Sequence, residues 1–136
     1  MSDYRPAYLD TSALLKLIVP EAESRALWEW LADWPDRFTS TLAQVESFRV
    51  LKRGKAPART FSRAEAVLAT VEAIHVDRPV LATAAQLKDP LLRSLDAIHL
   101  ASALAIGELP EAFVTYDLRL ARAAKRLKIT VVAPGT

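Results

Sequence analysis

Short apolar runs alternate along this chain with longer segments of helical periodicity. Five runs rich in β-branched or aromatic residues lie at 7–10, 37–40, 74–77, 112–116 and 129–132, and helix-length segments separate them. Parallel strands need crossover connections of such length, whereas antiparallel strands can be joined by two-residue turns. The pattern therefore predicts an α/β fold in which a parallel sheet carries helices on both faces.

The size and composition of the chain fit a single domain spanning residues 1–136. Such a length can bury a core without disulfide bonds or metal ions. No apolar run approaches the roughly 18 residues of a spanning helix, and the N-terminus lacks the basic-then-apolar layout of a signal peptide. We therefore expect a cytoplasmic protein without a membrane partner. Because the chain has no cysteine, any metal must be held by oxygen atoms or by His75 and His99.

The charge of the chain is nearly balanced, with 18 basic and 16 acidic residues and a formal net charge of +2. Two segments, 49–63 and 118–128, contain several basic residues and no acid. They are open to two interpretations: solvated helix faces, or a surface that binds an acidic substrate such as nucleic acid.

Acidic residues follow two of the predicted strands where a helical pattern begins. Asp10 follows the first apolar run in "YLDTSALLKL", and Asp117 follows the fourth in "AFVTYDLRLARAAKRL". The carboxyl ends of parallel strands lie on one edge of the sheet, where ligands bind. We therefore expect Asp10 and Asp117 to share that edge, although Asp10 also has a simpler interpretation as a helix cap.

Two further acids interrupt apolar helical patterns. Asp96 begins the small-residue helix of "LRSLDAIHLASALAIG", where it is either a cap or directed into a cleft. Glu46 falls in "TLAQVESFRVL", at the margin of an apolar stripe formed by Val45, Phe48 and Leu51.

Two other classes of α/β protein are disfavoured by the residues around the first strand. A dehalogenase-like phosphatase also begins with an acid at a strand end, but it needs a second acid two positions later, where this chain has Ser12. A Rossmann or P-loop nucleotide-binding protein needs a glycine-rich turn there, yet the three glycines lie at positions 54, 107 and 135.

The four acids and their neighbours resemble a known family. The segments "YLDTSALLKL", "TSTLAQVESFRVL", "LDAIHLASAL" and "FVTYDLRLARAA", in this order, are similar to the PIN-domain family, and within it to the VapC-like toxins of bacterial toxin–antitoxin pairs. The similarity runs from about residue 6 to residue 133. It implies a three-layer α/β/α sandwich with a five-stranded parallel sheet.

The resemblance also implies a function and a set of site residues. Asp10, Glu46, Asp96 and Asp117 would line one catalytic pocket that binds Mg²⁺ or Mn²⁺ and cleaves RNA. We expect Asp10 and Asp96 to be the principal metal ligands, with Asp117 assisting directly or through water, and Glu46 to orient or deprotonate the attacking water. The implied partners are RNA, a cognate antitoxin and a second copy of the chain in a homodimer. A non-catalytic PIN-fold module that binds RNA or protein is the alternative.

Several residues beside the acids keep open roles. The hydroxyl groups of Thr11, Ser12 and Thr115 are either ordinary caps or groups that hold a carboxylate or a metal-bound water. His99 follows Asp96 by three residues, a spacing compatible with a shared metal, but the apolar helix around it favours a packed or hydrogen-bonded core histidine. Trp28 is expected to point away from Trp30 and Trp34, towards a partner surface if it is exposed.

Overall fold

The computed structural model describes residues 4–107 and 112–136, which contain a five-stranded sheet and seven helices. The strands are β1 (Pro6–Leu9), β2 (Asp36–Ser40), β3 (Glu72–Ile74), β4 (Ala112–Val114) and β5 (Val131–Val132). The helices are α1 (Thr11–Ile18), α2 (Ser24–Leu31), α3 (Thr41–Arg53), α4 (Ala58–Leu68), α5 (Arg78–Gln86), α6 (Ser94–Leu104) and α7 (Leu118–Arg126).

The sheet is parallel throughout and has the strand order β3-β2-β1-β4-β5. Strand β1 is central, and its Tyr8 lies opposite Phe38 of β2 and Phe113 of β4. The strand order reverses between β1 and β4, which creates a crevice outside the carboxyl ends of these two strands. The expected parallel α/β/α sandwich is confirmed.

The central strand is buried on both faces, which explains why it reads as a continuous apolar run. Ala7 and Leu9 belong to a core cluster whose helical members come from α1 to α4, whereas Tyr8 belongs to a cluster with residues of α6 and α7. Successive side chains of a strand point to opposite faces. The alternation in β1 therefore joins both helical layers to the sheet.

The strand positions agree with the sequence pattern except at the third run. The predicted strand at 74–77 overlaps β3 only at Ile74. The reason is local, because the Asp77 side chain accepts a hydrogen bond of 3.0 Å from the Val80 amide and thereby caps α5. Since Asp77 is the N-cap of α5, the segment before it turns towards that helix and does not continue strand β3.

The apolar stripe of α3 differs from the predicted one. Val45 is 61% exposed, whereas the fully buried positions are Ala43, Ser47 and Leu51, with Phe48 packed partly against the same cluster. The prediction that Val45 shares a stripe with Phe48 and Leu51 was wrong, because the buried face of α3 follows the four-residue spacing of positions 43, 47 and 51. Glu46 lies beside this face and is half-buried.

The aromatic residues of α2 and the loop after it agree with expectation. Trp30 stacks on Trp34 with ring centroids 4.6 Å apart, and Trp28 is 38% exposed. The leucines of α1 and α2 are mostly core residues, because Leu14, Leu17, Leu27 and Leu31 are almost fully buried. In the described part of the chain, every helix is too short or too polar to cross a bilayer.

Candidate active site

Contacts and charge interactions link the four predicted acids to one another or to their neighbours. Asp10 follows β1, Asp117 follows β4 by three residues, Asp96 lies in the first turn of α6, and Glu46 lies in the middle of α3. Thr11, the neighbour of Asp10, contacts Glu46, and the charge of Asp96 interacts with those of Asp117 and Glu46. The fold therefore brings together side chains that are far apart in sequence.

Asp10 is held on both of its carboxylate oxygens. Oδ1 accepts hydrogen bonds from the Ser12 hydroxyl (2.6 Å) and the Ala13 amide (2.9 Å), and Oδ2 accepts one from the Thr115 hydroxyl (2.5 Å). Burial raises the pKa of Asp10, and the hydroxyl and amide donors oppose that rise. Asp10 is thus the N-cap of α1 and, at the same time, a site carboxylate with a fixed orientation.

The hydroxyl of Thr115 links the ends of β1 and β4. It donates to Asp10 and accepts a hydrogen bond of 3.1 Å from the Asp117 amide. Ser12 makes a second link, because its hydroxyl donates to Asp10 and accepts from the Tyr116 amide at 2.8 Å. These contacts assign both hydroxyls to the support of Asp10, which the sequence had left open.

Glu46 is oriented by two donors on one oxygen. Its Oε1 accepts from the Thr11 hydroxyl at 2.5 Å and contacts Nε2 of His99 at 2.8 Å. Burial opposes ionisation of Glu46, but the hydrogen bonds from His99 and Thr11 outweigh it, and the pKa is lowered. Glu46 is therefore a carboxylate at neutral pH.

His99 is a buried, hydrogen-bonded residue that connects Glu46 to the core of the sheet. It is 3% exposed, and its Nδ1 lies 2.8 Å from the Tyr8 hydroxyl. Sequence reasoning favoured a core histidine but did not find its contacts with Glu46 and Tyr8. No local pattern could have revealed them, because the three residues come from α6, α3 and β1.

Asp96 and Asp117 are more open to solvent than Asp10. Burial raises the pKa of Asp96, and repulsion by Asp117 raises it further. Asp117 is exposed and caps α7 through the amides of Arg119 (2.9 Å) and Leu120 (3.2 Å). Asp96 is not a helix cap, since Arg93 occupies that position in α6. Its recorded interactions are instead with the charges of nearby residues, among them Asp117 and Arg119.

The donor set suits a hard divalent cation. Carboxylate oxygens are the preferred ligands of Mg²⁺, which keeps several waters and needs only one or two direct carboxylates. Within residues 4–107 and 112–136, no three acids or histidines lie close enough together to enclose an ion by themselves. The repulsion felt by Asp96 is nevertheless the kind of strain that a bound cation relieves, so the residues fit such an ion with water completing its shell.

Exposed basic residues follow two of the acids along their helices. Arg49, Lys52 and Arg53 follow Glu46 on α3, and Arg119 and Arg122 follow Asp117 on α7. The charge of Arg119 lowers the pKa of Asp96, which partly opposes the effects of burial and Asp117. Arg119 therefore lies near enough to Asp96 for its positive charge to act on that carboxylate.

Comparison with known proteins defines the family. The PIN domain family model matches residues 7–126, so the chain belongs to the PIN-domain family. It is 46% identical over 132 residues to "Ribonuclease VapC35" of Mycobacterium tuberculosis, covering 94% of this chain and 96% of that protein. "Ribonuclease VapC47" of the same species is 40% identical over 132 residues, with the same coverage.

A solved structure shares the fold. The crystal structure of VapBC2 from Rickettsia felis, bound to a DNA fragment from its promoter, superposes with a TM-score of 0.72 at 15% identity. The match covers 95% of this chain and 98% of that chain. The family resemblance found in the sequence is confirmed.

Proposed function

We propose that this protein is the toxin of a toxin–antitoxin pair and acts in the cytoplasm as a Mg²⁺- or Mn²⁺-dependent endoribonuclease. The observation that carries the proposal is an ionised Glu46 that Thr11, the neighbour of Asp10, and His99 hold in one orientation, together with the charge interaction of Asp96 with Asp117 and Glu46. Relatives named Ribonuclease VapC, at 40–46% identity, support the same activity.

Asp10, Asp96 and Asp117 would hold the cation. When bound, the ion would supply Lewis-acid chemistry by acidifying water and offsetting negative charge at the phosphate. Ser12 and Thr115 keep the Asp10 carboxylate in a fixed position. Glu46 would accept the proton of the attacking water through the oxygen that Thr11 and His99 do not engage.

The basic residues would bind the RNA backbone beside this acidic site. The basic residues that follow the acids are exposed to solvent: Arg49, Lys52 and Arg53 on α3, and Arg119 and Arg122 on α7. Contacts with phosphates contribute most of the salt-dependent affinity of a protein for nucleic acid. Cleavage of RNA at submicromolar protein should therefore weaken steeply as the salt concentration rises.

Substitution of single carboxylates tests the assignment. Asp10→Asn or Asp96→Asn removes charge and keeps shape, so each purified variant should lose Mg²⁺-dependent cleavage of single-stranded RNA by about three orders of magnitude. Asp33→Asn is the matched control, because Asp33 is exposed and precedes β2 at the opposite edge of the sheet. Full activity in either site variant would contradict the proposal.

The role of Glu46 can be separated from metal binding. Glu46→Gln should lower kcat much more than it weakens Mn²⁺ binding measured by calorimetry, because Glu46 is proposed to act on water. Equal loss of both would make Glu46 a metal ligand. The same titration tests the alternative of a non-catalytic binding module, which has no reason to bind Mn²⁺ at this crevice.

The proposed partners are a cognate antitoxin and a second copy of the chain. Trp28 is the exposed aromatic residue of α2, and an amphipathic antitoxin helix could cover it. Trp28→Ala should then bind the antitoxin at least about tenfold more weakly, a loss of about 1.4 kcal/mol, while RNA cleavage is retained. Unchanged affinity would place the antitoxin elsewhere.

A further inference from the structure

We propose that His99 is a positioning residue, which Tyr8 holds in one tautomer so that it fixes Glu46 for catalysis. The proposal rests on the proposed function, because it assigns Glu46 the role of a base. It concerns a contact chain that starts in the sheet and ends at the site: Tyr8 to His99 at 2.8 Å, and His99 to Glu46 at 2.8 Å.

The direction of each hydrogen bond follows from the chemistry of the groups. An ionised carboxylate only accepts, so Nε2 of His99 must donate to Glu46. In a neutral imidazole the other nitrogen then accepts, and the Tyr8 hydroxyl is the donor that reaches Nδ1. A phenol keeps its proton at neutral pH, so this hydroxyl is able to donate.

The ring is held firmly because its partner belongs to the centre of the sheet. Tyr8 is fully buried and stacks on Phe113 of β4 with ring centroids 5.2 Å apart. The same Tyr8 ring meets His99 edge-on at 6.0 Å. Strands β1 and β4 therefore fix the position of the imidazole through Tyr8, and the imidazole in turn restrains Glu46 on α3.

The two carboxylate oxygens of Glu46 therefore have different roles: Oε1 is held by neighbouring side chains, and Oε2 is proposed to act on water. Thr11 and His99 both engage Oε1, so the rotation of the carboxylate is restricted and Oε2 is turned to a defined direction. A base must lie within hydrogen-bond reach of the water it deprotonates, and small misplacements of such groups reduce rates strongly. His99 would thus affect turnover more than substrate binding.

Two substitutions at position 99 separate the two contacts of the ring. His99→Gln places an amide nitrogen near the position of Nε2 and can still donate to Glu46, whereas His99→Asn reaches only the position of Nδ1, beside Tyr8. We expect His99→Asn to lower kcat by about 10- to 100-fold with little change in KM, as loss of a supporting contact typically does. His99→Gln should recover most of that loss, and equal activities of the two variants would overturn the proposal.

The tautomer is tested independently of catalysis. The chain has only two histidines, so His75→Gln, which changes an exposed residue, assigns the imidazole ¹⁵N signals of His99 by NMR. We expect a neutral ring with the proton on Nε2, and Tyr8→Phe, which removes the hydrogen-bond partner of Nδ1, should shift the Nδ1 signal and lower kcat. A ring protonated on Nδ1 in the unsubstituted protein, alone or on both nitrogens, would overturn the proposal.

Failure of the underlying function gives a different result. If the unsubstituted protein does not cleave RNA with Mg²⁺ or Mn²⁺, the proposed function is wrong, while the ¹⁵N spectra still decide how Tyr8 holds His99. If cleavage is normal in Tyr8→Phe and His99→Asn, the nuclease assignment stands and the positioning role is wrong.

Discussion

The two sides of the acidic crevice are built in opposite ways. On the side of β1, Asp10 is buried and accepts three hydrogen bonds that also cap α1 and join β1 to β4. On the side of α6, Asp96 is half-exposed, caps nothing and is repelled by Asp117 and Glu46. One carboxylate is part of the framework, whereas the other is strained by its neighbours.

Two carboxylates of the proposed site therefore differ in how they affect the stability of the folded state. Asp10 stabilises the folded state through its hydrogen bonds, so the position of its carboxylate does not depend on a bound ligand. Arg119 offsets only part of the burial and repulsion that raise the pKa of Asp96, so a further positive charge near Asp96 would stabilise it. Natural proteins often accept such strain at functional sites.

Matched alanine variants should give the largest contrast. Asp10→Ala removes an N-cap worth about 1 kcal/mol and leaves the Ser12 and Thr115 hydroxyls without their charged acceptor, so we expect a total loss of about 3 kcal/mol. That corresponds to roughly 10 °C in Tm for a chain of this size. Asp96→Ala should stay within about 1 kcal/mol of the unsubstituted protein, because relief of repulsion offsets the lost interaction with the helix dipole. Thermal unfolding in EDTA measures both, and equal losses would contradict the contrast.

Added metal should produce a smaller change in the unsubstituted protein. Mn²⁺ at ten times its dissociation constant stabilises the native state by about 1.4 kcal/mol through mass action, which corresponds to roughly 5 °C. Asp96→Asn should gain less, because its ligand charge is gone. An unchanged Tm of the unsubstituted protein in millimolar Mn²⁺ would mean that the carboxylates do not form a cation site.

The pH dependence of Asp96 should give the smallest effect. Since its pKa is raised in the folded protein, the native state binds more protons than the unfolded chain between the two pKa values. Stability is therefore lost as pH rises through that weakly acidic interval. In EDTA, the Tm of Asp96→Asn relative to the unsubstituted protein should increase across the interval and then level off. A difference that is independent of pH would sink this interpretation.

The layout of the fold could be predicted from sequence because its signals are local. The apolar runs and their spacing predicted a parallel sheet, and Asp10 and Asp117 were correctly expected at one edge. The third strand was displaced because Asp77 forms a cap, and a cap and a strand end look alike in "AIHVD". Such errors arise where one residue satisfies two patterns.

The contacts inside the site could not be predicted in the same way. Glu46 was placed only at the margin of an apolar stripe, and the stripe itself was misjudged at Val45. The hydrogen bonds of Glu46 with Thr11 and His99 join three elements that are distant in sequence. Family resemblance predicted which acids belong together, while the supporting network depends on tertiary packing that periodicity does not encode.

The position of β1 between β2 and β4 has a consequence for the order in which a newly made chain matures. During synthesis, β1, β2 and β3 can pair as soon as they emerge, but Asp10 meets Thr115 only after 105 further residues have been added. Pairings between segments so far apart form late. A nascent chain that has not yet produced β4 therefore carries three of the five strands and an unfinished crevice, so the acidic edge assembles only after the segment that follows β4 has been synthesised.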